Sequence, residues 1–137
     1  MTDVPSRTAE TSFARSACPI TNTLDIIGDK WTLLVIRDLL LGKHLYGEMM
    51  QSPEGIASNI LANRLQRLEQ AGLIVKRPYQ SNPVRYEYHL TAKGQDLKPV
   101  VQAIVAWARK HVPGVVVFPE VKQDERKGDS AGAGPTR

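Results

Sequence analysis

From Ala57 to Gly72 the chain reads ASNILANRLQRLEQAG, with leucine at 61, 65 and 68, the i, i+4, i+7 recurrence of a single apolar helical stripe. On a helical wheel Asn59, Asn63, Gln66 and Gln70 gather on the opposite side, with Arg67 on the shoulder. Ser58 can cap this helix and Gly72 can close it. Directly after Gly72 the period changes to two. Residues 73–77 (LIVKR) and 85–90 (RYEYHL) read as β-branched and aromatic strands, and Pro78 to Val84 forms a turn-rich segment broken at Asn82-Pro83. An amphipathic helix that runs into a two-stranded hairpin with a basic base and a polar tip leaves few folds open. The amide-rich face has two readings at this point. It is either solvated surface or a set of carboxamides and guanidiniums suited to adenine edges, guanine edges and phosphates.

The segments before it favour the second reading. Residues 1–17 are polar and aperiodic, and disorder is expected for them. Cys18-Pro19 starts a helix with Ile20, Leu24 and Ile27 on one stripe, ending at Gly28. Asp29 can cap the next helix, which is apolar over much of its circumference (Trp31, Leu34, Val35, Leu39, Leu40), should sit at the centre of the core and stops at Gly42. Residues 45–50 suit a helix of at most two turns, and Ser52-Pro53-Glu54-Gly55 a turn. A short helix, a turn and a polar-faced second helix outline a helix-turn-helix, and the hairpin after it supplies a wing. Thr91 is a good N-cap for a last helix running to about His111, with Pro99 marking a kink or a late start. Val115 to Phe118 could be a strand or pack on a partner, and residues 119–137 are expected to be disordered. The fold class is therefore mainly α with a small β-hairpin, a winged helix-turn-helix over residues 18–118.

Charge distribution points the same way. The formal net charge is +4. Acidic and basic residues balance in 1–17 and in 119–137, whereas between 58 and 85 Arg64, Arg67, Lys76, Arg77 and Arg85 face Glu69 alone. The positive excess thus lies in and just after the amide-faced helix, where a phosphate backbone would meet it. A single cysteine excludes an intrachain disulfide or a thiolate zinc cluster, and His44, His89 and His111 are scattered without ligand spacing, so no metal is expected. No nucleophile–base pairing, glycine-rich phosphate loop or metal cluster supports an enzyme, and no cofactor is called for. With no membrane-length apolar run and no basic-then-apolar leader, a soluble cytoplasmic protein is expected.

The sequence resembles the HxlR-type winged helix-turn-helix transcription regulators. The resemblance is carried by Cys18-Pro19, by Gly28-Asp29-Lys30-Trp31-Thr32-Leu33-Leu34 with Ile36-Arg37-Asp38-Leu39, and by Tyr46-Gly47-Glu48-Met49. It continues through Gly55-Ile56-Ala57, Leu61-x-x-Arg64-Leu65-x-x-Leu68-Glu69 and Gly72-Leu73-Ile74 to Arg85-Tyr86-Glu87-Tyr88 and Leu90-Thr91-x-x-Gly94. It covers about residues 18–111, in order and at consistent spacing. Two positions depart from the pattern: Tyr46 stands where Phe is usual, and Ala57 where a serine commonly caps the recognition helix. The resemblance implies a homodimeric, double-stranded-DNA-binding regulator, most often a repressor, with the first and last helices building the dimer. The stripe of Leu97, Val101, Ile104 and Ala108, with Val100 and Trp107 beside it, is independently more apolar than a small monomer would expose.

The residues expected to read bases are Ser58, Asn59, Asn63 and Arg67, with Gln66, since Asn and Gln pair with adenine and Arg with guanine in a major groove. Arg64 lies nearer the apolar edge, and either a phosphate contact or a structural ion pair suits it. Arg77, Gln80, Ser81, Asn82 and Arg85 belong to the wing and suit phosphates or a minor groove, Arg85 having a cross-strand carboxylate as its alternative. Cys18, at a helix start, would be favoured as a thiolate by the helix dipole. Some relatives use a cysteine here to sense electrophiles or oxidants, so a small electrophile or oxidant is a candidate effector, and an inert packed thiol is the alternative. The competing function is a winged-helix protein-interaction or small-molecule-sensing module without specific DNA binding.

Overall fold

The structure, a computed structural model, describes residues 12–116. Six helices and one hairpin follow in the order α1 (Pro19–Ile27), α2 (Thr32–Leu40), α3 (Tyr46–Met50), α4 (Ser58–Gln70), β1 (Ile74–Ser81), β2 (Val84–Leu90), α5 (Ala92–Gln95) and α6 (Lys98–His111). Pro19 occupies the first turn of α1, where its missing N–H costs nothing. Asp29 sits ahead of α2 and accepts from the backbone N–H groups of Trp31 (3.0 Å) and Thr32 (3.2 Å), two donors the helix itself leaves unpaired.

The core forms where α2 crosses α4 and the base of the hairpin. Val35, Ile36 and Leu39 meet Leu61, Leu65 and Leu68, with Met49, Ile56, Leu73, Ile74 and Val101 filling the remainder. Burial of side chains of this size contributes about 1.5–3 kcal/mol each, so this cluster supplies most of the drive to fold. The leucine stripe of α4 is thus the buried side, and its amide face is left outward.

The turn out of α4 explains its glycine. Gly72 has φ +79°, the left-handed region, and the Leu73 N–H reaches back to the Leu68 carbonyl (2.9 Å) while the Gly72 N–H bonds that of Glu69 (3.0 Å). That is a Schellman closure, and it drops Leu73 and Ile74 directly into the core. The strands pair antiparallel from Ile74↔Leu90 to Ser81↔Val84, with a bulge between Pro78 and Gln80. The hairpin is longer than its sequence suggests, since the segment expected to be turn-rich continues as strand to Ser81 and the turn contracts to Asn82-Pro83.

Two further expectations need correction. Ser58 does not cap α4: the N-cap is Ala57, without a side-chain cap, and Ser58 is the first helical residue. The last helix is split. Thr91 caps only α5, accepting from the Gly94 N–H at 3.1 Å, and α6 begins anew with Pro99 in its first turn, the late start that a proline permits. After α6, Gly114 (φ +84°) turns the chain back, and Val115 and Val116 line a cavity of about 310 Å³ with Leu33, Leu34, Val101 and Ile104. These two valines form no strand, and Val117 and Phe118 lie outside the described residues. So do most of the two tails expected to be disordered. Residues 12–17 of the first tail are described, and there Arg15 pairs with Asp25 at 2.7 Å. No described helix is long and apolar enough to cross a membrane.

Candidate nucleic-acid interface

Because α4 buries Leu61, Leu65 and Leu68, helical geometry turns Ser58, Asn59, Asn63, Gln66 and Arg67 outward, and all five are exposed. The hairpin that follows α4 carries exposed Arg77, Gln80, Ser81, Asn82 and Arg85. Arg85 lies opposite Gln80 rather than a carboxylate. Neither it nor Arg67 nor Arg77 forms an ion pair among the described residues, so the cross-strand pairing open to Arg85 is not made. Gln80 instead donates to the Pro83 carbonyl (3.1 Å) and braces the hairpin tip. Lys76 lies with its ammonium 4.6 Å from the Tyr86 ring centroid, a cation–π contact on the wing.

Arg64 differs from the others. Its Nε donates to Asp29 Oδ2 at 2.8 Å and its Nη1 to Asn63 Oδ1 at 2.6 Å, so of the two roles open to it the ion pair is the one present. Burial by itself would raise the Asp29 carboxyl. Hydrogen bonds from Thr32, Arg64 and the Trp31 N–H, together with the Arg64 charge, outweigh it and hold the group well below the usual carboxylate range.

The two helices of the motif are set relative to one another by side chains. Glu48 reaches back to the His44 (2.9 Å) and Leu45 (3.0 Å) N–H groups, fixing the start of α3 and lowering its own carboxyl through those two bonds. Tyr46 binds Ser58 across the interhelical turn. Behind them Arg37 forms a two-pronged pair with Glu54 (2.8 and 2.9 Å) and also bonds Asp38. The buried Asp38 accepts from Ser52 Oγ at 2.5 Å, and Lys43 reaches Ser52 at 3.1 Å. This cluster ties the helix-turn-helix linker to α2, and sequence reasoning missed it. The signal was there, since a carboxylate inside a helix that is apolar nearly all round must find partners.

Cys18 is exposed at the N-terminus of α1. Hydrogen bonds from the Thr21 backbone and side chain, then from Ile20, push its thiol down from the ordinary value. His44 and His89 stack at 4.3 Å, His44 bonding the Tyr88 carbonyl and His89 the Glu87 carboxylate. No group of three or more metal-type ligands occurs among the described residues.

A helix-turn-helix with an outward carboxamide face and a basic wing defines a winged-helix nucleic-acid-binding domain. Residues 26–115 match the family described as HxlR-like helix-turn-helix, and the chain belongs to it. It is 37% identical over 87 residues to an HTH-type transcriptional regulator of Synechocystis, sll1512, covering 64% of either protein. It is 35% identical over 94 residues to YdeP of Bacillus subtilis, covering 69% of this chain and 73% of that protein. The match spans just under two thirds of the Synechocystis relative and 56% of its Mycobacterium bovis counterpart Mb3122. Among solved structures, the reduced form of the B. subtilis transcriptional regulator YodB aligns with a TM-score of 0.61 at 29% identity, covering 74% of this chain and all of that one. The redox regulator HypR in its oxidised form aligns with a TM-score of 0.63 at 31% identity, covering 69% and 97%.

Proposed function

We propose that the protein is a homodimeric transcriptional repressor that binds double-stranded DNA sequence-specifically, placing α4 in the major groove and the hairpin against phosphates or a neighbouring minor groove. The observation that carries this reading is that Asn59, Asn63, Gln66 and Arg67 of α4 and Arg77 and Arg85 of the wing are all exposed, the three arginines forming no ion pair among the described residues. Base edges are read from α4, and Gln80, Ser81 and Asn82 at the hairpin tip lie along the backbone. A winged helix adapted to protein or small-molecule binding alone would carry acidic or apolar replacements on the recognition-helix face, where this chain has Asn59, Asn63, Gln66 and Arg67.

Dimerisation is supported by what α1 and α6 leave uncovered. Ile20 (69% exposed) and Leu24 on α1 line one groove with Val100 and Ile104 on α6, and Trp107 (62% exposed) lies three residues beyond Ile104 on the same helix. An exposed apolar patch of this kind suits a two-fold dimer, which would present two copies of α4 to successive half-sites.

The Cys18 thiol suits a sensor of electrophiles or oxidants, because it is exposed and held towards its thiolate form at a helix start, and the likeness to YodB and HypR supports this role. With no second cysteine in the chain, the modified state is an alkylated thiol, a mixed disulfide or a disulfide between subunits.

Titration of a duplex from upstream of the protein's own gene at increasing salt tests the DNA reading. Log affinity should fall linearly with log salt, by about 0.9 per phosphate contacted. Salt-independent binding, or none to any duplex, would favour the interaction module. Quinone or peroxide treatment should weaken binding by the wild type and leave Cys18→Ser unaffected, and equal responses would remove the thiol from the mechanism.

A further inference from the structure

Arg64 connects the turn between α1 and α2 to the outward face of α4. Its Nε is held by Asp29 Oδ2, which also carries the Trp31 and Thr32 N–H groups, while Asp29 Oδ1 accepts from the Thr32 hydroxyl. This anchor is partly buried, the two side chains being only 16% and 25% exposed. From it the planar guanidinium extends Nη1 to Asn63 Oδ1. A guanidinium has five donors and no acceptor, so the Asn63 atom facing it is the oxygen, and the orientation of the carboxamide is set by its partner. Nδ2 of Asn63 then has no acceptor among the described residues.

We infer that Asp29 and Arg64 determine which base edge Asn63 reads. The inference rests on α4 lying in a major groove. The two-bond pairing of asparagine with adenine needs the amide oxygen and nitrogen turned together towards N6 and N7. With Arg64 on its oxygen, Asn63 has one oxygen lone pair committed and both Nδ2 donors free, which favours an edge made of acceptors. Guanine offers N7 and O6, two adjacent acceptors and no donor, whereas adenine sets its own N6 donor beside N7. The Arg64 bond therefore biases Asn63 towards the guanine edge. Arg64 is a positioning residue that acts through Asn63 and touches no base, and Asp29 fixes Arg64 from 35 positions earlier in the chain.

Selection from a random-sequence duplex library with the full-length chain tests this. The wild type should prefer guanine at one position of each half-site, and Asn63→Ala should erase the preference at that position alone. Arg64→Lys keeps the charge but has a single ammonium on a flexible stem, which serves Asp29 without also holding Asn63. It should move that same position towards adenine by about tenfold, with the salt slope unchanged, and it should have no effect there when Asn63 is already alanine. Asp29→Asn, which keeps an acceptor oxygen ahead of α2, should reproduce the shift and guards against a folding defect in the first variant. The inference is overturned if the position lost in Asn63→Ala is adenine in the wild type, or if Arg64→Lys weakens all duplexes alike with base preference intact. Selection of no sequence by the wild type would instead remove the DNA reading, and this inference with it.

Discussion

The hydroxyl of Tyr46 on α3 lies 2.5 Å from the carbonyl oxygen of Ser58 and 2.7 Å from its Oγ, joining the two helices of the motif at the start of α4. Tyrosine in place of the phenylalanine usual here, and alanine in place of the usual capping serine, therefore fall on either side of one contact. Ser58, freed from capping, becomes the partner that the extra hydroxyl requires.

Tyr46→Phe keeps the ring and removes both bonds. Loss of a part-exposed hydroxyl pair of this kind costs about 1 kcal/mol, which for a domain of this size lowers Tm by roughly 5 °C. Thermal unfolding followed by circular dichroism measures it, and an unchanged Tm would show that the contact adds nothing to stability.

Ala57→Ser should stabilise the protein. Ala57 has φ −71° and ψ 147°, the extended geometry of an N-cap, and supplies no side-chain cap to the first N–H groups of α4. A serine hydroxyl here accepts from the third helical residue and gains about 0.5–1 kcal/mol. Urea unfolding should show a higher midpoint at constant slope, and a lower midpoint would mean that the added hydroxyl disturbs the neighbouring Tyr46–Ser58 contact.

Much of this architecture is legible in the sequence, for identifiable reasons. Helix α4, its glycine closure and the hairpin follow from periodicity and turn chemistry, which act over a few residues. The leucine stripe alone decides that Asn59, Asn63 and Arg67 face out. Two features were not legible, and a third was open between two outcomes. Pairing of Arg64 with Asp29 spans 35 residues, and nothing local distinguishes it from a phosphate contact. Extension of β1 through Pro78 to Ser81 runs against local propensity and is carried by pairing with β2, which absorbs the irregularity in a bulge. Thr91 is as good a cap for one turn as for five, and of the kink and the late start that Pro99 left open in the sequence, the late start is the one present.

Gly94 is required by its packing and not by its backbone angles. A Cβ there would lie 2.1 Å from the Leu73 carbonyl oxygen and 2.9 Å from Leu90 Cδ2. The first is a main-chain atom in the turn out of α4, so relief requires moving α5 away from the wing. Gly94→Ala should cost about 2–3 kcal/mol, the upper part of the range for overpacked sites. Gly47→Ala is the comparison, since a Cβ there meets nothing within 4 Å. Equal unfolding midpoints for the two variants would refute the close approach.

The Asp29 anchor carries a pH signature. Its folded-state pKa is depressed, so its contribution is fully present above the unfolded value of about 3.9 and is lost as pH falls below it, because the unfolded chain then takes up a proton that the folded chain refuses. Glu54 is depressed as well, through its hydrogen bonds to Arg37, and alone would make any acid unfolding ambiguous. Comparing the wild type with Asp29→Asn cancels that term, because both retain the Arg37–Glu54 pair. At pH 7 the variant should be less stable by about 2 kcal/mol, the loss of charge-assisted bonds to Arg64 and to the start of α2. At pH 3 the unfolded wild-type carboxyl is mostly protonated while the folded one remains ionised, so the difference should narrow by about 1 kcal/mol. Denaturant unfolding of both proteins at the two pH values measures the change. A difference that stays constant would mean that Asp29 titrates alike in the folded and unfolded chain and does not anchor Arg64.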